Sequence, residues 1–181
     1  IEAMKLAKKN GLTGIEMFGL EGRDLERIAA ASRELGIEIR ACVSAGAALL
    51  GNPDKTEELV SLFEQSVPKA KQIGCSNLIL NAEEYARNLS SDEVIKVMED
   101  ALKRLAVIAE KEDVTILVEP VTGGFFTSSK QAFGLIEKVG SKNVKLLYDI
   151  FHFQNIEGQI TETIKKNLNL IGDIHGAGAP M

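Results

Sequence analysis

The feature that most constrains the fold is a regular alternation between segments with helical periodicity and short apolar runs. Apolar residues spaced three or four apart predict helices, and compact apolar runs bounded by glycine or polar residues predict buried strands. Helices are predicted at 1–10, 24–35, 54–73, 91–111, 128–139 and 160–168, and strands at 14–18, 37–43, 76–81, 114–119, 144–149 and 170–175. Alternating strands and helices predict a parallel sheet with right-handed crossovers.

Two α/β architectures satisfy this alternation, an open doubly wound sheet and a closed (β/α)8 TIM barrel. No glycine-rich phosphate-binding fingerprint follows any predicted strand, which weakens the nucleotide-binding alternatives. Acidic and histidine residues instead recur at the C-terminal ends of several strands, where barrel enzymes place their active sites. We therefore expect a single TIM-barrel domain over residues 1–181.

The count of strands is smaller than a closed barrel requires. Such a barrel typically needs ~250 residues, whereas the chain has 181. We expect strand 1 and the last βα unit to be lacking from the chain as given, which leaves two strand edges without partners. The chain is then expected to be part of a longer protein, or to associate with a partner such as a second copy in a homo-oligomer.

Composition excludes several classes of protein. The residues are 45% hydrophobic and 26% charged with a net charge of −5, which is typical of soluble globular proteins. The sequence has no cluster of lysine and arginine, so nucleic-acid binding is not expected. No apolar run reaches the ~18 residues of a membrane helix, and no signal-peptide pattern is present, so we expect a cytoplasmic protein. Cys42 and Cys75 lack zinc-site spacing and are expected to be core residues in a reducing compartment.

Three predicted strands end in a side chain that can bind a metal: Glu119, Asp149 and His175. They are 30 and 26 residues apart, about one βα unit each, so they should face one mouth from adjacent strands. Two carboxylates and an imidazole suit Mg²⁺ or Mn²⁺, with Co²⁺ and Zn²⁺ as further candidates. Taken alone, Glu119 also fits a partly solvated salt bridge. His152 also fits a histidine packed between its two phenylalanine neighbours.

Three motifs resemble the xylose-isomerase-like TIM barrels, and within them the hydroxypyruvate isomerase branch, near the ketose 3-epimerases. The motifs are Val118-Glu119-Pro120, the run 148–154 with Glu157-Gly158, and Gly172-Asp-Ile-His175. The resemblance implies that Glu119, Asp149 and His175 are metal ligands and that Glu119 doubles as an acid/base group. It also implies that His152 contacts substrate oxygens at the reacting centre, with Gln154 as a nearby polar contact. Asn81, at the end of strand 76–81, is a further candidate substrate contact.

Two departures from the family pattern bear on the chemistry. The fourth ligand of the family, a glutamate on strand eight, falls beyond Met181. The epimerase-like pattern has a glutamate six residues after the first ligand, and this chain has Phe125 there. Epimerisation usually requires a second base, so Phe125 favours aldose–ketose isomerisation.

The expected function is a metal-dependent isomerase of a small hydroxycarbonyl or sugar substrate. Proton transfer by a carboxylate would pass through a metal-stabilised enediolate. A ketose 3-epimerase-like sugar epimerase is the first alternative. The others are an endonuclease-IV-like phosphodiesterase, which the two histidines and the negative net charge disfavour, and a non-catalytic sugar-binding barrel.

Overall fold

Six parallel strands form one sheet in the computed structural model, which describes residues 1–177. The strands are β1 (Gly14–Met17), β2 (Glu38–Val43), β3 (Asn77–Asn81), β4 (Thr115–Glu119), β5 (Val144–Asp149) and β6 (Ile171–His175). The helices are α1 (Glu2–Lys9), α2 (Leu25–Leu35), α3 (Thr56–Gln72), α4 (Ser91–Glu112), α5 (Ser129–Val139), α6 (Ile150–Ile156) and α7 (Ile160–Asn167). Short 3₁₀ turns cover Ala47–Leu49, Pro53–Lys55 and Leu168–Leu170. Among residues 1–177 no helix has both the length and the apolar character needed to cross a membrane.

The strand order decides between the two architectures that the sequence allows. The strands lie side by side in chain order, β1 to β6, with no reversal. A doubly wound sheet reverses its order at a switch point, whereas a barrel winds in one direction. The structure therefore has the barrel arrangement and excludes the doubly wound sheet.

The sheet is strongly curved. In a flat sheet the two edge strands, β1 and β6, would lie about 24 Å apart, because neighbouring strands are about 4.8 Å apart. Instead, Glu16 of β1 and His175 of β6 are in contact, with Oε2 of the glutamate 2.8 Å from Nε2 of the histidine. Side chains on the concave face of the six strands thus converge, as they do inside a barrel.

Two apolar layers hold this arc together. The larger layer lies between the convex face of the sheet and the helices, and includes Phe63, Leu102 and Tyr148. The smaller layer lies on the concave face and receives one side chain from each of the four central strands: Ala41, Ile79, Leu117 and Leu147. These four side chains are almost completely buried, so they form an apolar layer beneath the C-terminal ends of the strands.

Gly172 on β6 permits the close approach of the last strand. A Cβ atom at this position would lie 2.6 Å from the side chain of Leu117 and 2.7 Å from that of Lys145. We expect Gly172→Ala to lower the free energy of unfolding by about 1–3 kcal/mol, because the neighbours must move apart. Thermal or urea denaturation measures this change.

Gly134 in α5 provides the matched control, because a Cβ there would meet no atom within 4 Å. Gly134→Ala is expected to stabilise the protein by up to about 1 kcal/mol through helix propensity. Equal effects of the two substitutions would contradict the close packing of β6.

The segment after β5 differs from our prediction. No helix was predicted between residues 149 and 160, but residues 150–156 form α6. The reason is that Oδ1 of Asp149 accepts hydrogen bonds from the backbone N–H groups of Phe151, at 2.7 Å, and His152, at 3.2 Å. An aspartate in this position caps a helix and satisfies its free N–H groups. His152 is consequently held in the first turn of a helix.

The two cysteines are buried and unpaired by any disulfide. Their Sγ atoms are 3.8 Å apart, between β2 and the start of β3. The neighbouring Cys75 thiol, together with burial, raises the pKa of the Cys42 thiol. Cys42 therefore behaves as a small apolar core residue, as the sequence predicts.

Candidate active site

A cleft of about 300 Å³ opens at the C-terminal ends of the strands. Its apolar wall includes Val43, Ile79 and Val121. Its polar lining comes from the ends of five strands and the start of α6: Glu16, Asn81, Glu119, Asp149, His152 and His175. Polar groups that converge from many strands onto one small cleft are characteristic of barrel active sites.

A larger groove, of about 590 Å³, lies at the opposite end of β2 and β3. Two of its basic side chains already have partners on the surface: Arg40 pairs with Glu38 at 2.8 Å, and Lys71 pairs with Glu112 at 3.0 Å. No such pairing by lysine or arginine occurs at the smaller cleft within the part of the chain that the structure describes. The chemistry therefore points to the smaller cleft.

The three predicted metal ligands meet in this cleft. One ligand atom from each of Glu119, Asp149 and His175 lies within 4.8 Å of the other two. Nδ1 of His175 is 3.4 Å from Oε1 of Glu119 and 3.7 Å from Oδ2 of Asp149. Strand register produces this convergence, because Asp149 and His175 are paired residues on β5 and β6. Spacing of one βα unit thus does bring the three side chains together, while their role as ligands stays a prediction.

Asp149 divides its two carboxylate oxygens between two tasks. Oδ1 caps α6, as described above, and Oδ2 faces the cleft, 3.7 Å from His175 and 3.9 Å from Nε2 of His152. The cap restricts rotation of the side chain, and the residue is only 9% exposed. Oδ2 is therefore presented to the cleft in a fixed direction.

His152 is oriented by the loop after β4. The backbone N–H of Thr122 donates to Nδ1 of His152 at 3.1 Å, and the Thr122 hydroxyl lies at the same distance. Because a backbone N–H is only a donor, Nδ1 must accept, so the neutral ring carries its proton on Nε2. The ring also packs edge-on against Phe151, with centroids 5.3 Å apart. His152 is therefore both packed and able to present an N–H donor at the cleft.

Glu16 is a polar residue of the cleft that was not among the candidates from the sequence. The run Gly14-Ile-Glu16 is too short to carry a prediction by itself. In the structure Oε2 of Glu16 lies 2.8 Å from Nε2 of His175. The neighbouring carboxylates of Glu119 and Glu16 raise the pKa of His175 from 6.5 to about 10. A cation that binds His175 must therefore displace a proton.

The other residues singled out from the sequence have different positions. Asn81 lines the cleft at the end of β3, where its Oδ1 accepts from the backbone N–H of Glu83 at 3.4 Å. Gln154 is exposed on α6 and is not among the residues lining the cleft, so its role as a substrate contact stays a prediction. Phe125 is buried, with its ring edge-on to Tyr85 at 5.3 Å.

The fold and this arrangement at the strand ends define a class of protein. The chain belongs to the xylose isomerase-like TIM barrel family, whose model matches residues 4–181. Among curated relatives, hydroxypyruvate isomerase from Escherichia coli (strain K12) is 29% identical over 133 residues, which cover 71% of this chain and 52% of the relative. A putative hydroxypyruvate isomerase from Danio rerio is 27% identical over 196 residues, covering 99% of this chain and 71% of the relative.

A solved structure supports the same fold. The 3-keto-D-glucoside 4-epimerase from E. coli superimposes with a TM-score of 0.85 at 19% sequence identity, over 98% of this chain and 73% of that one.

The chain spans about half the length of the E. coli hydroxypyruvate isomerase. The family, the branch and the barrel fold that the motifs indicated are confirmed.

Proposed function

We propose that the protein is a metal-dependent isomerase of a small hydroxycarbonyl substrate, similar in reaction to hydroxypyruvate isomerase. The observation that carries this proposal is the convergence of Glu119, Asp149 and His175 within 4.8 Å in one cleft. Two carboxylates held this close repel each other unless a cation or a proton lies between them. The isomerase and epimerase names of the relatives support the same class of reaction.

The donor set fits a divalent cation. Glu119 and Asp149 offer hard carboxylate oxygens and His175 offers one imidazole nitrogen, a combination suited to Mg²⁺ or Mn²⁺, with Co²⁺ and Zn²⁺ as further candidates. Such a cation, when bound, supplies Lewis-acid stabilisation of the negative charge that develops on substrate oxygens.

The protein side chains supply the remaining chemistry. Glu119 takes a proton from the hydroxyl-bearing carbon next to the carbonyl and returns it to the former carbonyl carbon, while the hydroxyl proton passes to the former carbonyl oxygen, as an isomerase requires. His152, oriented by Thr122, donates a hydrogen bond from Nε2 to a substrate oxygen. Asn81, on the neighbouring strand β3, offers a second polar contact. The apolar side chains of Val43, Ile79 and Val121 lower the polarity of one side of the cleft, which strengthens electrostatic interactions there.

The size and charge of the cleft restrict the substrate. A volume of about 300 Å³ is at the lower end of ligand pockets, so we propose a small substrate. Three carboxylates line the cleft, from Glu16, Glu119 and Asp149, and they disfavour a phosphodiester of the kind that an endonuclease cleaves.

A sugar epimerase is the second candidate, and the structural similarity to the 3-keto-D-glucoside 4-epimerase favours it. Epimerisation needs proton delivery to the opposite face of the same carbon. The position that carries an additional glutamate in the epimerase-like pattern is Phe125, which is buried against Tyr85. An isomerase is therefore better supported.

Solvent exchange tests the proposal. In D₂O, the intact protein with Mn²⁺ is expected to incorporate deuterium into hydroxypyruvate and to form the isomeric aldehyde, with NMR as the measurement. A chelator should stop both processes and added Mn²⁺ should restore them. No exchange with Mg²⁺, Mn²⁺ or Co²⁺ would contradict a metal-dependent isomerase of this substrate, and exchange with inversion at the same carbon of a ketose would identify an epimerase.

A further inference from the structure

The imidazole of His175 lies between two groups of carboxylates. Its Nδ1 faces Glu119 and Asp149 at 3.4 and 3.7 Å, and its Nε2 faces Glu16 at 2.8 Å. The two ring nitrogens are directed toward opposite sides of the ring. Glu16 therefore lies on the side of His175 that is turned away from the proposed metal ligands.

The position of Glu16 follows from the alternation of side chains along β1. Met17 points to the convex face of the sheet and is buried there, so Glu16 points to the concave face. Because the sheet curls, the concave side of β1 faces the end of β6. Within residues 1–177 His175 is the only ion-pair partner of Glu16, so no lysine or arginine competes for this carboxylate.

The Nε2 atom needs such a partner. It is buried from solvent, and no hydrogen-bond acceptor is well aligned with its N–H in the part of the chain that the structure describes. The carboxylate of Glu16 lies within hydrogen-bond distance but off the N–H direction, so the contact is an ion pair with imperfect alignment. Histidines that bind metals usually donate their second N–H to a carboxylate or a carbonyl, which fixes the tautomer and the ring orientation.

We propose that Glu16 is a positioning residue: it keeps the proton of His175 on Nε2 and turns the lone pair of Nδ1 toward Glu119 and Asp149. This inference rests on the proposed metal site. It adds that Nδ1 is the nitrogen of His175 that binds the cation and that Glu16 orients the ring. Glu16 acts through His175 and is not itself a ligand, since it is not part of the set of atoms within 4.8 Å.

The test compares Glu16→Ala and Glu16→Gln with the wild type in a titration with Co²⁺, followed by visible absorption and calorimetry. Glu16→Ala should weaken Co²⁺ binding by about 10–100-fold, the usual effect of removing a partner of a metal-binding histidine. Glu16→Gln keeps an oxygen that can accept from Nε2 and should retain much of the affinity. The absorption band of the bound Co²⁺ should shift in Glu16→Ala but keep a stoichiometry of one.

Glu83→Gln is the matched control, because Glu83 is an exposed glutamate in the loop after β3. It should bind Co²⁺ like the wild type. Affinity of Glu16→Ala within twofold of the wild type would overturn the positioning role, and equal loss in both Glu16 variants would make Glu16 a ligand instead. If Glu16→Ala does not fold, the nearly isosteric Glu16→Gln with an unchanged spectrum and a modest loss carries the test. Absence of Co²⁺ binding by the wild type itself would contradict the proposed metal site and this inference together.

Discussion

Replacement of Asp149 by alanine is expected to abolish divalent-cation binding at the proposed site and, with it, the proposed isomerase activity. The substitution removes Oδ2, which lies 3.7 Å from Nδ1 of His175. Loss of a direct ligand should exceed the 10–100-fold effect of losing an outer partner, so we expect at least about a 100-fold loss of affinity. Calorimetric titration with Mn²⁺ and metal analysis of the purified variant measure this loss.

The same substitution should also lower stability, because Oδ1 caps α6. Loss of an aspartate cap costs about 1 kcal/mol, with a range of about 0.5–2 kcal/mol. For a domain of this size about 1 kcal/mol corresponds to a decrease in Tm of about 2–4 °C. A drop of this size in the metal-free protein would show that the cap contributes independently of the cation.

Asp149→Asn separates the two tasks of the residue. The asparagine Oδ1 can still accept from Phe151 and His152, and asparagine caps helices as well as aspartate does. Asp149→Asn should therefore keep the Tm of the metal-free wild type and still lose most of the metal affinity, because a neutral amide replaces the anionic ligand. A full equivalent of tightly bound metal in Asp149→Ala would show that the proposed ligand set is wrong.

Most helices and strands, and the convergence of the three strand-end residues, were predictable because they depend on the local sequence or on the spacing of apolar residues. Asp149 and His175 are each the last residue of a strand, and a spacing of one βα unit places such residues on adjacent strands. Parallel strands in sequential order then align their C-terminal ends, whatever the details of side-chain packing. This is why three residues from distant parts of the sequence could be assigned to one mouth.

The contact between Glu16 and His175 was not predictable in the same way. It joins the two edge strands of the sheet, so it depends on the curvature accumulated over six strands. No pattern in the sequence near either residue reports that curvature. Helix α6 was missed for a different reason: it has only seven residues, too few to show helical periodicity, and its formation depends on the cap from Asp149.

Conversion of Glu119 to glutamine is expected to remove the acid/base group of the proposed reaction. Glutamine preserves the shape of the side chain but cannot accept a proton at neutral pH. Removal of a general base typically lowers the rate by about 10²–10⁴-fold. We expect kcat for isomerisation, and deuterium exchange from D₂O, to fall by this amount, with a smaller change in KM.

Glu119 is also a proposed metal ligand, with Oε1 3.4 Å from Nδ1 of His175, so loss of the base must be distinguished from loss of the cation. Measuring kcat at saturating Mn²⁺, with occupancy determined in parallel, separates the two effects. Glu119→Asp keeps the charge on a side chain one methylene shorter, so it should retain the cation and recover part of the exchange rate. If fully occupied Glu119→Gln exchanges the substrate proton at the wild-type rate, another group is the base, and the remaining carboxylates of the cleft, Glu16 and Asp149, become the candidates.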